Sequence, residues 1–194
     1  MDVITTILSG FGLAAPAGLN AWLPLFITGL AQRFGLVTLT TPFDLLGNTW
    51  VLVVLGVLLT IEVFADKIPA VDSINDVIHT FIRPAAGGIL FAAQTGTISG
   101  MDPVFAFILG AISAGGVHAV KAAGRPLVTA TTGGIGNPLV SLIEDIVAGV
   151  STILALVVPV VAAVLMLVIV VLVAWQVWRW RERRKRRRAM ENHL

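Results

Sequence analysis

Cysteine and tyrosine are both absent from the 194 residues of this chain, and charged side chains make up only 12% of it. Without cysteine there is neither a disulfide framework nor a thiolate metal site. A soluble domain carries roughly 25% charged residues, whereas 57% of this chain is hydrophobic. Too little polar surface remains to cover a water-soluble globule, so the composition predicts a membrane protein.

Positive charge is scarce over most of the chain and concentrated at its end. Residues 179–194 hold eight Lys/Arg and two acids, whereas residues 1–178 hold five Lys/Arg and nine acids. The basic character therefore belongs to the tail, and it does not indicate nucleic-acid binding by the body. We divide the chain into a membrane-embedded helical domain, 1–178, and a basic cytoplasmic tail, 179–194.

Long apolar runs follow one another along the body. A helix needs about 20 apolar residues to cross the hydrocarbon core, and residues 3–32 carry no charge at all. This first run has no basic segment before it, so it does not resemble a signal peptide and we expect it to be retained. Further apolar helices are predicted over residues 49–65, 84–99, 103–120 and 160–178. The predicted fold is all-α, a polytopic transmembrane helical bundle.

Proline and glycine predict where these helices break. Pro16 and Gly18 place a break near residues 15–20, inside the first uncharged run. Prolines also predict helix starts or seams at three later places, namely Asp102-Pro103, Asn137-Pro138 and Pro159. Broken or re-entrant helices are therefore part of the predicted fold.

A faint repeat relates two stretches of the chain. Leu55-Gly56 and Lys67 recur 54 residues later as Leu109-Gly110 and Lys121. Transporters are often built from internal duplications, so an internal repeat is one interpretation. Chance explains so few identities equally well.

The last span predicts the orientation of the chain. Trp175, Trp178 and Trp180 form an aromatic girdle at its end, and the basic tail follows at once. Basic residues just beyond a span stay on the cytoplasmic side. We therefore expect a multi-pass membrane protein with a cytoplasmic C-terminus, whose tail also contacts anionic membrane lipids.

A polar segment between apolar runs carries the first candidate site. A helix over residues 70–83 would place Asp72, Asp76, His79 and Arg83 on one stripe. One interpretation is that this stripe lines a polar cavity, and the other is an amphipathic helix whose polar face meets water. Asp76 lies mid-stripe, one turn from His79, and is the first candidate for a proton- or cation-coupling group.

A second stripe lies in the later half of the chain. His118, Lys121 and Arg125 share one helical face, and their expected partners are the acids of the first stripe. The alternative is that the two long cations only extend to the lipid headgroups. The next helix adds Asn137, Ser141 and Glu144 on one face, with Asp145 beside them.

The embedded acids outnumber the embedded bases. Charges at bilayer depth are costly, and they are usually paired or functional. The acids are Glu62, Asp66, Asp72, Asp76, Glu144 and Asp145, and the bases are Lys67, Arg83, Lys121 and Arg125. Even full pairing leaves two carboxylates, which would hold protons or bind a cation.

Two glycine-containing segments, residues 15–20 and 132–138, precede helix starts. Inside a membrane, such half-helix ends can bind an anion or a polar substrate. Asn20 and Asn137 are the polar side chains that we assign to these ends. Simple loops explain both segments at least as well.

The chain resembles a bacterial membrane family called domain of unknown function 4126. The resemblance covers about residues 10–175. It implies a multi-span protein of the bacterial cytoplasmic (inner) membrane and supplies no activity. The matching segments are Gly18-Leu19-Asn20-Ala21-Trp22-Leu23-Pro24-Leu25, Ala65-Asp66-Lys67-Ile68-Pro69 with Val71-Asp72 and Asp76, His79-Thr80-Phe81-Ile82-Arg83-Pro84, and Lys121 with Arg125 and Gly133-Gly134.

Three functions compete on these observations. The first is a transporter or permease for a small polar or phosphate-bearing substrate, such as a lipid, with proton or cation coupling. The second is a membrane enzyme acting on a lipid phosphate, with a divalent cation on Asp72, Asp76 and His79. No nucleophile-plus-base pattern supports an enzyme, so it ranks below the transporter. The third is a scaffold, in which the charges only join helices. A homo-oligomer is compatible with each.

Overall fold

The computed structural model describes residues 3–65, 69–96 and 101–191, and within its helices it leaves out the side chains of residues 69–77, 159–160, 162–163, 166, 181 and 184–191. The described residues form seven α-helices, one short 3-10 helix (Phe43–Gly47) and no strand. The helices are α1 (Val3–Ala17), α2 (Trp22–Arg33), α3 (Thr49–Ala65), α4 (Pro69–Thr95), α5 (Pro103–Thr132), α6 (Asn137–Val157) and α7 (Pro159–Glu191). The all-α prediction is confirmed.

The predicted break in the first uncharged run is confirmed between α1 and α2. The side-chain oxygen of Asn20 accepts hydrogen bonds from the backbone N–H groups of Trp22 (3.1 Å) and Leu23 (2.9 Å). These are orphan donors of a new helix, so Asn20 stabilises the start of α2. The break therefore has a local cause that the sequence carries.

The other predicted helix starts are confirmed as well. The Asp102 carboxylate accepts from the N–H groups of Val104 (2.8 Å) and Phe105 (3.0 Å), with Pro103 in the first turn. α6 begins at Asn137, after a turn in which Gly133 and Gly134 have φ of 62° and 88°. A left-handed backbone of this kind favours glycine. α7 begins at Pro159, as predicted.

Two helices run further than predicted. α4 continues through Pro84 to Thr95, and α5 continues through Pro126 to Thr132. A proline removes one backbone hydrogen bond, but packing on both sides of it can hold the helix. The buried Arg83 and Ala86 flank Pro84 in this way. The predicted ends near residues 83 and 120 were therefore wrong. The backbone of α7 also continues past residue 178, to Glu191.

The helices pack around α1, which contacts α4, α5, α6 and α7. α4 and α5 lie along each other, and small residues let their backbones approach closely. A Cβ atom on Gly110 would overlap the backbone oxygen of Gly87, and one on Gly87 would overlap the Ala114 side chain. Small residues at helix crossings are typical of helices that associate in membranes.

Two helices, α5 and α6, are long and apolar enough to cross a membrane. In each, 28% of the most apolar 18-residue window is buried inside the protein. Large hydrophobic side chains therefore point outward, among them Phe105, Ile112, Leu142 and Ile153. A surface of this kind differs from that of a soluble bundle, where the outer face of a helix is polar.

Candidate functional site

One group of polar side chains, buried apart from the exposed Thr80, joins α3, α4 and α5. We call it the Glu62 cluster, and it consists of Glu62, His79, Thr80, Arg83 and His118. The Glu62 residue is 1% exposed, and Arg83 is 0% exposed. A carboxylate and a guanidinium removed from solvent to this degree need direct partners, because desolvation is costly for both.

Glu62 and Arg83 are direct partners in this cluster. Arg83 Nη2 donates a hydrogen bond to Glu62 Oε1 over 3.2 Å. His79 Nε2 lies 3.3 Å from the same oxygen, in an electrostatic contact that is not oriented as a hydrogen bond. The other oxygen, Glu62 Oε2, is buried without a hydrogen-bond partner among the residues that the structure describes. One acid thus bonds the α3 end of the cluster to α4.

The bond between Arg83 and His118 fixes the state of the imidazole. Arg83 Nη1 lies 2.8 Å from His118 Nδ1, and Thr80 Oγ1 lies 3.2 Å from His118 Nε2. A guanidinium can only donate, so Nδ1 must accept and His118 is neutral. The proton then resides on Nε2 and is donated to the Thr80 hydroxyl. The ring bonds α5 to α4 in one defined tautomer.

A second group of charges lies where α5 faces α6. We call Lys121, Arg125 and Glu144 the Glu144 cluster. Lys121 Nζ lies 3.0 Å, and Arg125 Nη2 3.2 Å, from the same oxygen, Glu144 Oε2. Lys121 Nζ also donates to the backbone oxygen of Leu19 over 2.9 Å. This carbonyl is exposed by the break between α1 and α2, so the cluster also stabilises the broken helix.

The remaining predicted polar residues pair nearby. Asn20 Nδ2 donates to Asp145 Oδ1 over 2.9 Å, so the cap of α2 is bonded to α6. Asn137 Nδ2 donates to Thr129 Oγ1 over 3.1 Å, across the turn between α5 and α6. Asn137 is thus part of that turn rather than of either charged cluster.

A cavity of about 320 Å³ adjoins the Glu144 cluster between α5, α6 and α7. Lys121, Arg125 and Glu144 all line it, together with Gln176 of α7. The rest of the wall is apolar apart from Gly124, and it includes Val120, Leu127, Val147 and Val173. A concave, mostly apolar site with a few polar groups is the usual form of a small-molecule site.

The structure brings some predicted residues together and leaves others outside its description. His79, Arg83, His118, Lys121 and Arg125 are all buried. The alternatives in which they only meet water or lipid headgroups therefore do not fit their positions. Asp66 and Lys67 lie outside the described residues, and Asp72 and Asp76 lie on α4 with their side chains outside the description.

The metal prediction for Asp72, Asp76 and His79 consequently stays a prediction. Among the side chains that the structure describes, no group of three or more metal-ligating residues lies together. Sequence reasoning missed three groups that take part in the two clusters or line the cavity, namely the Leu19 carbonyl, Thr80 and Gln176. Thr80 lies inside the segment that carried the family resemblance, between His79 and Arg83, and that was the only signal for it.

These features define an all-α protein with two helices of membrane-spanning length and a buried ionic interior. The family model described as "Domain of unknown function (DUF4126)" matches residues 7–179, and the chain belongs to this family. No curated protein and no solved structure matches the chain.

Proposed function

We propose that this chain is a multi-pass membrane transporter for a small polar or phosphate-bearing substrate, with proton or cation coupling. Membrane placement is supported by the outward-facing apolar side chains of α5 and α6. Three further apolar segments, Val3–Ala17, Thr49–Ala65 and Leu167–Trp180, are shorter and would cross as part of a broken or tilted bundle. An internal repeat is part of the proposal, and so is an inner-membrane location in a bacterium.

The observation that carries the proposal is the position of the charges. Two ionic clusters lie inside a body whose outer faces are apolar, and one of them lines a cavity. Ionisable groups in this position are costly, and in membrane proteins they mark substrate and ion pathways. Glu62, the two histidines and Glu144 are groups through which a proton or cation could be coupled, and Asp76 remains the first candidate.

The proposed orientation, with the C-terminus in the cytoplasm, rests on the basic end of α7. Arg179 lies over the ring of Trp175, with 4.9 Å between the guanidinium carbon and the ring centroid. Such a pair suits the membrane interface. We expect a C-terminal phosphatase fusion to be inactive, because the enzyme would remain in the cytoplasm. Periplasmic phosphatase activity would contradict this orientation.

Transport is tested in liposomes that contain the purified protein and a trapped pH-sensitive dye. Inorganic phosphate, glycerol phosphate or dodecyl phosphate is added outside, and internal pH is followed with each. We expect one of them to move protons in the wild type and not in Asp76→Asn, which keeps the shape of the side chain. Comparable signals from the two proteins would remove Asp76 as the coupling group, and no signal with any probe would contradict proton-coupled transport of this class.

The enzyme remains a second candidate, because its three expected metal ligands are close in sequence. It predicts divalent-cation-dependent turnover of a phospholipid without net movement of substrate. The scaffold predicts neither turnover nor movement. The same liposomes distinguish the three, when lipid composition is analysed alongside internal pH.

A further inference from the structure

The cavity beside the Glu144 cluster combines an apolar wall with charged side chains. Its volume of about 320 Å³ is lined mainly by valine, leucine and isoleucine side chains from α5, α6 and α7. The same wall contains Lys121 and Arg125, which are 5% and 8% exposed. A purely polar ligand would leave the apolar wall uncovered, and a purely apolar ligand would leave the two cations facing hydrocarbon. The wall therefore matches a ligand with both parts.

Glu144 is the carboxylate that pairs with both cations of this wall. Both cations meet the same oxygen, Oε2, at 3.0 and 3.2 Å. A phosphate has three or four oxygens, so it can bond Lys121 and Arg125 through different atoms, and bonds of this kind are stronger when each is well aligned. The Glu144 side chain is 15% exposed, against 1% for that of Glu62. It is therefore the more accessible acid and the easier one to displace.

Gly124 lies in the apolar part of the cavity wall. A Cβ atom there would lie 3.8 Å from Val177 Cγ2, which is an ordinary contact. Packing therefore does not require glycine at this position, in contrast to Gly87 and Gly110, where a Cβ would overlap a neighbour. The missing side chain leaves space in the cavity wall at this position.

We propose that this cavity binds an amphiphile with one alkyl chain and an anionic phosphate headgroup, and that the headgroup competes with Glu144 for Lys121 and Arg125. The alkyl chain lies along the apolar wall beside Gly124. The amphiphile is a substrate class for the proposed transporter. Only its movement across the membrane rests on that proposed function. Binding itself requires the cavity alone.

The test is equilibrium binding of radiolabelled dodecyl phosphate to the full chain in phosphatidylcholine nanodiscs. We expect saturable binding to the wild type. Glu144→Gln removes the internal competitor and should tighten binding about tenfold, since a competing state lowers apparent affinity by its population. Lys121→Gln and Arg125→Gln should each weaken it about tenfold or more. Glu182→Gln is the matched control, because Glu182 lies on α7 and does not line the cavity, and its affinity should be unchanged.

A substitution at Gly124 distinguishes binding of a lipid phosphate from binding of free inorganic phosphate. Gly124→Leu fills the apolar wall and leaves both cations in place, so dodecyl phosphate binding should be lost. Binding of radiolabelled inorganic phosphate is measured in the same variant. It should be the same in Gly124→Leu as in the wild type, because both cations remain in place. Dodecanol should bind neither protein, because it lacks the charge.

Three results would overturn the inference. They are unchanged or weaker binding in Glu144→Gln, retained dodecyl phosphate binding in Gly124→Leu, and equal binding of dodecanol and dodecyl phosphate. The thermal unfolding midpoint of each variant establishes that it is folded, and Glu144→Gln alone decides the sign if a cation variant fails to fold. Binding without translocation would contradict the proposed transporter function but support this binding site. Translocation without binding in this cavity would contradict the binding site but support the transporter function.

Discussion

The two ionic clusters contain the same chemistry in different surroundings. In each, one carboxylate faces two basic side chains, Glu62 with His79 and Arg83, and Glu144 with Lys121 and Arg125. The first is sealed between α3, α4 and α5, whereas the second forms part of a cavity wall. The difference teaches that burial, rather than residue type, separates an ionic group that joins helices from one that can exchange partners.

The energetic consequence follows from desolvation. Removing one member of a buried pair leaves the other charge desolvated and without its strongest partner, while a charge that is more exposed loses less when its partner is removed. The Glu62 cluster should therefore dominate the free energy of unfolding, and the Glu144 cluster should dominate ligand binding. Each prediction below compares one region with the other.

The largest effect is expected from Arg83→Met. The substitution removes the permanent charge and the hydrogen bond that Arg83 gives to the buried Glu62, and leaves His79 Nε2 as a neighbour 3.3 Å away without a hydrogen bond. This change should lower the free energy of unfolding by about 3–5 kcal/mol. Arg125→Met is the matched variant, and its loss should be clearly smaller, because Lys121 still contacts Glu144 and the Glu144 side chain is 15% exposed. SDS titration of the purified proteins in dodecyl maltoside measures both. Equal losses would show that the two clusters do not differ in the way we describe.

A smaller loss is expected from His118→Leu. It removes the acceptor of a charged donor, Arg83, and bonds to charged groups contribute about 1.5–3 kcal/mol. Thr80→Val removes a neutral bond to the same ring, so it should cost about 0.5–1.5 kcal/mol. The same titration measures the order. If Thr80→Val cost more than His118→Leu, the neutral tautomer that donates to Thr80 would be the wrong assignment.

Local signals in the sequence predict part of this structure. The break before Asn20 and the starts at Pro103, Asn137 and Pro159 all depend on capping or proline chemistry within a few residues. The continuation of α4 through Pro84 could not be predicted, because packing between distant segments outweighs the local cost of the proline. Local chemistry thus sets where helices begin more reliably than where they end.

The candidate site divides in the same way. Helical spacing predicts that Lys121 and Arg125 share a face, but not that Glu144 would contact both, since that depends on the turn between α5 and α6. The bond from Lys121 to the Leu19 carbonyl is beyond any side-chain pattern, because a backbone oxygen carries no sequence signal until a helix break exposes it.

The glycines of α5 extend the comparison to packing. Gly110 lies on the face that packs against α4, beside the backbone oxygen of Gly87. Gly110→Ala should force the helices apart and lower the free energy of unfolding by about 1–3 kcal/mol. Thermal unfolding in detergent measures this loss. An unchanged midpoint would mean that α4 and α5 can separate without disturbing the Glu62 cluster between them.

The smallest effect, and the one with the opposite sign, is expected from Gly124→Ala. The new methyl group meets Val177 at an ordinary distance, so no neighbour must move. Alanine also loses less conformational entropy than glycine when it joins a helix, which should stabilise the protein by about 0.5–1 kcal/mol. The unfolding midpoint of Gly124→Ala should therefore rise where that of Gly110→Ala falls. A fall at both positions would mean that α5 is packed as tightly against α7 as against α4, and that the cavity beside the Glu144 cluster is not an open space in the folded protein.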